Sequence, residues 1–346
     1  MILRFRTGTT GERLVAVQER CAAEGLAVVV RPDSQRPVLG LAGDIPSVLA
    51  AELAGLSDVE EVVQLKIPAF LVSRAFQDTQ TVVDVGGVRI GGEQVVVIAG
   101  PCSVEGLEVM QEAARAAHAA GAHILRGGAF KPRTSPYDFQ GFGVEGLGLL
   151  KEAGEAVKMP VVSEIMDASH LPAFLDHDID CLQIGSRNMQ NYTLLAAVAE
   201  VGKPVLLKRG QAATAEEWLL AAEHLALGGC EEIVLCERGI RTFERATRNT
   251  LDLTILPLMR EWTHLPIMVD PSHAAGIARI IPPLARAAVA LGVDGLAVEM
   301  HPDPKQALSD ADQSLRPEEL AELVVDTRRI AAVTPRVFPP TRPGGQ

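Results

Sequence analysis

From residue 94 onward the chain repeats one unit, a short apolar run followed by a stretch of helical periodicity. The runs are QVVVIAG, HILRGGA, PVVSEI, CLQIGS, PVLLKRG, EIVLCERG, PIMVDPS and GLAVEM. Continuous apolar runs, rather than alternating ones, belong to strands covered on both faces, as parallel strands are. Helix candidates between them include LEVMQEAARAAHAAG, AEEWLLAAEHLALGG and AGIARIIPPLARAAVALG. Eight strands alternating with helices predict an α/β fold, a closed (β/α)8 TIM barrel. An open doubly wound sheet is the alternative, and the absence of a GxGxxG loop after the first strand counts against it.

The N-terminal segment follows another order. MILRFR, LAVVVRP, RPVLGLAG and VEEVVQL read as strands, TGERLVAVQERCAAEG and IPSVLAAELAGL as helices. That order, βαββαβ, predicts a small α+β ferredoxin-like domain over residues 1–70. A linker is expected over 71–80 and the barrel over 81–335, opening on a hairpin in TVVDVGGVRIGG whose Gly-Gly pair suits a tight turn. The Pro- and Gly-rich end predicts a mobile tail over 336–346.

Charge narrows the function. The chain holds 44 Asp and Glu against 32 Lys and Arg, a net charge of -12, which argues against nucleic acid as a partner. Its apolar runs are too short to span a bilayer, and charge comes too early at the N-terminus for a secretory signal. Five scattered cysteines form no disulfide framework, so a reducing cytoplasm is the expected compartment. Against this acidic background RGGAFKPRTSP gathers Arg126, Lys131 and Arg133, with Asp138 the first acid after them. Such a cluster suits a small anion.

Barrel enzymes carry their chemistry at the C-terminal ends of the strands. Those ends offer Cys102, Arg126, Glu164, Gln183, Lys208 with Arg209, Glu237 with Arg238, Asp270 with His273, and Glu299. Arg126, Lys131, Lys208, Arg209 and Arg238 suit phosphate and carboxylate groups. Each could instead be paired with an acid. For Arg209 both readings stand, because adjacent strand residues face opposite sides. Cys102, His273, Glu299 and one acid of HPDPKQALSDADQSL form a mixed S, N and O donor set. That mixture suits Mn2+, Fe2+, Co2+ or Zn2+. Cys21, Cys181, Cys230 and Cys236 read as core, and His301 is a rival to the chosen histidine.

The motifs AGPCS, GGAFKPRTSP, LQIGSRNMQN, LLKRG, CERG, VDPSHA and VEMHPDP…ALSDADQSL, in this order, resemble 3-deoxy-D-arabino-heptulosonate 7-phosphate (DAHP) synthase. The resemblance covers roughly 80–330 and points to the microbial subgroup with a ferredoxin-like regulatory domain in front. It implies condensation of phosphoenolpyruvate with erythrose 4-phosphate, the entry to aromatic amino-acid synthesis. It places Arg126, Lys131, Glu164, Gln183, Lys208 and Arg238 on phosphoenolpyruvate, and Arg133, Thr134, Ser135 and Asp270 on erythrose 4-phosphate. The metal falls to Cys102, His273, Glu299 and Asp310, with Asp312 a competitor and Mn2+ the first choice. Lys131, Cys102 and His273 become the catalytic group. Acid–base work is left open among Lys131, His273 and a water on the metal. Asp138 departs from the serine expected there. The resemblance further implies a homo-oligomer, tetramer or dimer, and an aromatic amino-acid effector. Rival readings are a 3-deoxy-octulosonate 8-phosphate synthase and a non-catalytic phosphosugar-binding barrel.

Overall fold

The computed structural model describes residues 1–31, 36–131 and 135–334. Its chain divides into two compact units, Met1–Thr79 with Trp262–His264, and Gln80–Glu261 with Leu265–Gln346.

The first unit runs β1 (Ile2–Phe5), α1 (Gly11–Ala22), β2 (Ala27–Arg31), β3 (Val38–Ala42), α2 (Ser47–Ala54) and β4 (Val59–Val63). Its antiparallel sheet has the order β2-β3-β1-β4, with Leu3 opposite Leu39 on one side and Val62 on the other. This is the ferredoxin-like arrangement that βαββαβ predicts. Thr10 opens α1 by accepting a hydrogen bond from the Arg13 amide. The helices bury Val17, Cys21, Leu49 and Leu53 against Leu3, Phe5, Leu39 and Leu41 of one sheet face. The second face carries Ile2 and Val38, which pack with Phe70 and Phe76. Residues 71–80, expected as a linker, therefore contribute Val72 and Phe76 to the core of this unit. Alternation places an apolar row on that face too, and it must be covered.

The second unit opens on a hairpin, β5 (Val83–Val85) and β6 (Val88–Ile90). Gly86 and Gly87 turn it with φ of 56° and 90°, conformations that L side chains rarely adopt. Eight parallel strands follow: β7 (Val96–Gly100), β8 (Ile124–Arg126), β9 (Val161–Ile165), β10 (Cys181–Ile184), β11 (Val205–Lys208), β12 (Ile233–Glu237), β13 (Ile267–Val269) and β14 (Gly295–Glu299). They pair in sequence order and close where β14 meets β7, so the doubly wound alternative is set aside. Around them lie α3 (Leu107–Ala120), α4 (Val144–Ala156), α5 (Leu171–Asp176), α6 (Tyr192–Ala199), α7 (Ala215–Leu227), α8 (Ile255–Trp262), α9 (Pro271–Ala275), α10 (Ile281–Ala290) and α11 (Pro317–Ala331). Val83, Val85 and Ile90 join Ile98, Ile124, Val162, Leu206, Val234 and Met268 in one core, so the hairpin closes the barrel from its N-terminal end. Among the described residues no helix is long and apolar enough to cross a membrane.

AGIARIIPPLARAAVALG is not one helix. Gly276 ends α9 in the left-handed region, a 3-10 turn covers Ala278–Ile280, and α10 starts with prolines at its first turn. Proline has no amide hydrogen to give and suits the first turn, so Pro282 and Pro283 set the start of α10. The tail over 336–346, and Arg133 and Thr134 of the loop after β8, lie outside the described residues.

Candidate active site

Strand ends β13, β14, β7 and β8 are neighbours around the ring, and their side chains converge. One ligand atom each from Cys102, His273, Glu299 and Asp310 lie within 4.8 Å of one another. Cys102 Sγ stands 3.0 Å from Asp310 Oδ2, and His273 Nε2 stands 3.2 Å from Glu299 Oε1. Asp310 reaches inward from a left-handed backbone position, φ 52°, which Asp tolerates better than most residues. Asp312, its competitor, is exposed. His301 is also out of contention, because its Nε2 engages Glu105 at 3.2 Å and its Nδ1 accepts from the Asp303 amide.

Protonation follows from the contacts. Asp270 is fully buried and takes three hydrogen bonds, from the His273 amide at 2.9 Å, from His273 Nδ1 at 2.7 Å and from Lys208 Nζ. Against the cost of burial, His273 and Lys208 hold its carboxyl well below the usual range. An ionised carboxylate only accepts, so Nδ1 carries the imidazole proton. Burial lowers the His273 pKa, leaving a neutral ring whose bare Nε2 faces Glu299. Burial, and then Glu299, push the Cys102 thiol up to about 12. Against burial, the Cys102 thiol and then His273 hold Asp310 down to about 2.

The donor set fits a divalent cation. Glu299 Oε1 is buried and lies 3.1 Å from Arg126 Nη1, yet neither atom has a hydrogen-bond partner, because the approach is misdirected. A carboxylate oxygen beside an imidazole lone pair, a thiol sulfur and a second carboxylate is a donor set of the kind that divalent cations take. The Asp270–His273 contact is the outer carboxylate that metal-binding histidines commonly have.

Beside this cluster opens a pocket whose wall includes the cations Lys131, Arg187, Lys208, Arg238 and Arg248, together with Glu164, Gln183, His273 and Asp310. Lys131 sits at the junction, its Nζ donating to Cys102 O at 2.7 Å and contacting Cys102 Sγ at 2.9 Å. Among the described residues Arg238 makes no ion pair, although it is buried; burial lowers its pKa. Glu164 reaches the pocket over Gly185, where a Cβ would lie 1.8 Å from its Oε1. Gln183 Nε2 donates to Glu164 Oε2 at 3.4 Å.

Two expectations change, for Asp270 and Ser135, and the open reading of Arg209 is decided. Asp270, expected on the sugar phosphate, has its carboxylate occupied by His273 and Lys208 and does not line the pocket. Arg209 points outward and pairs with Glu237 and Asp252, both at 2.9 Å, over the Trp218 ring. Glu237 thereby leaves the mouth as well, its second oxygen accepting from the Gly239 amide at 2.6 Å. Ser135 is placed, but its hydroxyl accepts from the Tyr137 amide and it does not line the pocket. Asp138 does line it. The sequence reading passed over Arg187 and Arg248. Arg187 lies just past β10, where strand-end reading stopped at Gln183, and Arg248 lies deep in the loop after β12.

The model of the DAHP synthetase I family matches residues 73–332. Phospho-2-dehydro-3-deoxyheptonate aldolase of Thermotoga maritima is 46% identical over 331 residues, covering 96% of this chain and 98% of that enzyme. A crystal structure of that aldolase (DAHP synthase) superposes with a TM-score of 0.76 and covers 97% of its chain. A truncated form of 3-deoxy-D-arabino-heptulosonate 7-phosphate synthase from T. maritima superposes with a TM-score of 0.71 at 48% identity, covering 76% of this chain and 97% of that one. The 2-dehydro-3-deoxyphosphooctonate aldolase of Desulfotalea psychrophila is 30% identical over 259 residues, 70% of this chain and 91% of that enzyme. The last two matches leave out about a quarter or more of this chain, whereas the full-length T. maritima enzyme spans nearly all of it. With its barrel, its donor cluster and a family match across most of its length, the chain belongs to the DAHP synthetase I family.

Proposed function

We propose that the chain condenses phosphoenolpyruvate with D-erythrose 4-phosphate and water, giving 3-deoxy-D-arabino-heptulosonate 7-phosphate and inorganic phosphate. This is the entry step of the shikimate route to aromatic amino acids. The observation that carries the reading is one metal-donor cluster opening onto a pocket walled by cations. Several cations converging on one space repel one another, and a polyanionic ligand relieves that repulsion.

Lys208, Arg238 and Arg187 take the phosphate of phosphoenolpyruvate, and Arg126 and Lys131 its carboxylate side. Arg133 and Thr134, which follow β8 in the sequence, take the phosphate of the aldose. Cys102, His273, Glu299 and Asp310 would hold a divalent ion, Mn2+ by first choice and Fe2+, Co2+ or Zn2+ otherwise, which when bound would supply Lewis-acid polarisation of a carbonyl oxygen. The enol carbon of phosphoenolpyruvate bonds to the aldehyde carbon, and Lys131, 2.9 Å from Cys102 Sγ, is placed to protonate the aldehyde oxygen. Water adds at the former enol-ether carbon, and Glu164 is the carboxylate on the pocket wall placed to receive its proton. The bond between that carbon and the phosphate oxygen then breaks as the new hydroxyl passes its proton to the departing phosphate, leaving the ketone and inorganic phosphate.

Among the described residues the first unit holds no such donor cluster, and regulation is the role we assign to it. An aromatic amino acid bound by these units in a homo-oligomer, dimer or tetramer, would set the activity of the barrels.

Phosphate release from phosphoenolpyruvate tests the reaction. Chelator-stripped protein should be inactive and Mn2+ should restore turnover with erythrose 4-phosphate. Faster turnover with arabinose 5-phosphate would move the assignment to octulosonate synthesis, and no release with either aldose would leave a binding barrel.

A further inference from the structure

Each carboxylate of the donor cluster has two oxygens, and only one of each faces the cluster. The outward oxygens meet a single pair of side chains. Gln313 Nε2 donates to Glu299 Oε2 at 2.5 Å, and Arg248 Nη1 donates to Asp310 Oδ1 at 3.3 Å. The two helpers are joined, because Arg248 Nη1 also donates to Gln313 Oε1 at 2.7 Å. That bond fixes the amide orientation: its oxygen faces the guanidinium, so its nitrogen must face Glu299. Gln313 is buried at 2% exposure, whereas the Arg248 side chain is 35% exposed.

Arg248 is itself held in place. Its amide donates to Ala275 O at 3.1 Å, and the Asn249 amide donates to Ala274 O at 2.8 Å. Asn249 Nδ2 adds a bond to His273 O at 3.2 Å. The loop after β12 thus lies along α9, the short helix that carries His273, and Gly276 makes room where a Cβ would meet the Arg248 Cβ at 2.6 Å.

We infer that Arg248 and Gln313 are a positioning pair that turns one oxygen of Glu299 and one of Asp310 toward a bound divalent ion. Neither residue touches the donor atoms that would hold it. Their hydrogen bonds fix the carboxylate rotamers before the ion arrives, so less side-chain freedom is lost on binding. The pair also couples the two carboxylates: a shift of Arg248 releases Asp310 directly and Glu299 through the Gln313 amide.

This inference rests on the metal reading above, and the test separates the two. Co2+ is titrated into chelator-stripped protein against a competing chelator, following the thiolate-to-Co2+ absorption band of Cys102. Gln313→Leu and Arg248→Met should each weaken binding by about 10- to 100-fold. The melting temperature of the ion-free proteins should stay near that of the parent. Arg248→Lys, which keeps the charge but loses the planar fork, should fall between Arg248→Met and the parent. The double variant should be weakened by less than the product of the single effects, because the two residues act as one unit. Affinities within twofold of the parent in both single variants would overturn the inference while leaving the metal reading intact. A loss of affinity matched by a general loss of melting temperature would reduce the pair to a structural contact. If the parent gives no thiolate band, the metal reading fails and the pair falls with it.

Discussion

Cys102 shows how an ordinary residue becomes a ligand through its surroundings. Its thiol is buried, and burial with the neighbouring Glu299 raises its pKa to about 12. In the ion-free protein it is therefore protonated at every working pH. Binding a divalent ion replaces that proton, since the thiolate is the ligand. The sign follows: loading releases a proton from Cys102 and strengthens as pH rises. His273 adds nothing above its lowered pKa, because its ring is already neutral. Adding Zn2+ to weakly buffered apoprotein near neutral pH should release about one proton per ion, and Cys102→Ala should release none. Release that is unchanged in Cys102→Ala would exclude the thiol from the site. Donor types and strand-end placement made Cys102, His273 and Glu299 legible in the sequence. Side-chain direction was not. Asp270 sits at the same kind of position, yet it turns to Lys208 and His273, and Arg209 turns out toward Glu237 and Asp252. Composition does not encode which of two adjacent strand residues faces inward.

At the scale of elements, the barrel strands could be read because each is buried on both faces and flanked by helical periodicity. The coverings were harder to see. Phe70 and Phe76 on the second sheet face, and the prolines that start α10, depend on tertiary contact or on local chain geometry rather than on period. The hairpin β5–β6 belongs with these coverings. Its turn was legible from Gly86-Gly87, but its purpose lies in packing: Val83, Val85 and Ile90 are almost wholly buried in the barrel core. Ile90→Ala should leave a cavity at that end and cost about 3 kcal/mol. For a chain of this size that is a drop in melting temperature of roughly 4–5 °C. Turnover per folded molecule should be unchanged, because the hairpin lies at the end away from the donor cluster. A shift of less than a degree would mean the hairpin only decorates the barrel.

The whole molecule poses a question of division of labour. All the converging donors and cations identified belong to the second unit, while the first unit is a complete ferredoxin-like fold with its own core on both sheet faces. Among its described residues the first unit holds no metal-donor cluster, and regulation is the use proposed for it. Regulation requires that an effector bind one arrangement of the subunits more tightly than another. A coupling of order 1–3 kcal/mol, about 5- to 150-fold in affinity, is the usual size. A shortened chain beginning at Thr81 keeps the hairpin, all eight strands and the four donors. The truncated T. maritima synthase, 48% identical, covers 76% of this chain and 97% of its own. The shortened protein should retain turnover within a few-fold and lose inhibition by phenylalanine, tyrosine or whichever aromatic product inhibits the full chain. Inhibition that persists after truncation would place the effector site on the barrel. A full-length enzyme indifferent to every aromatic amino acid would leave the first unit as an assembly element, and the two proteins would then differ in mass by sedimentation rather than in feedback.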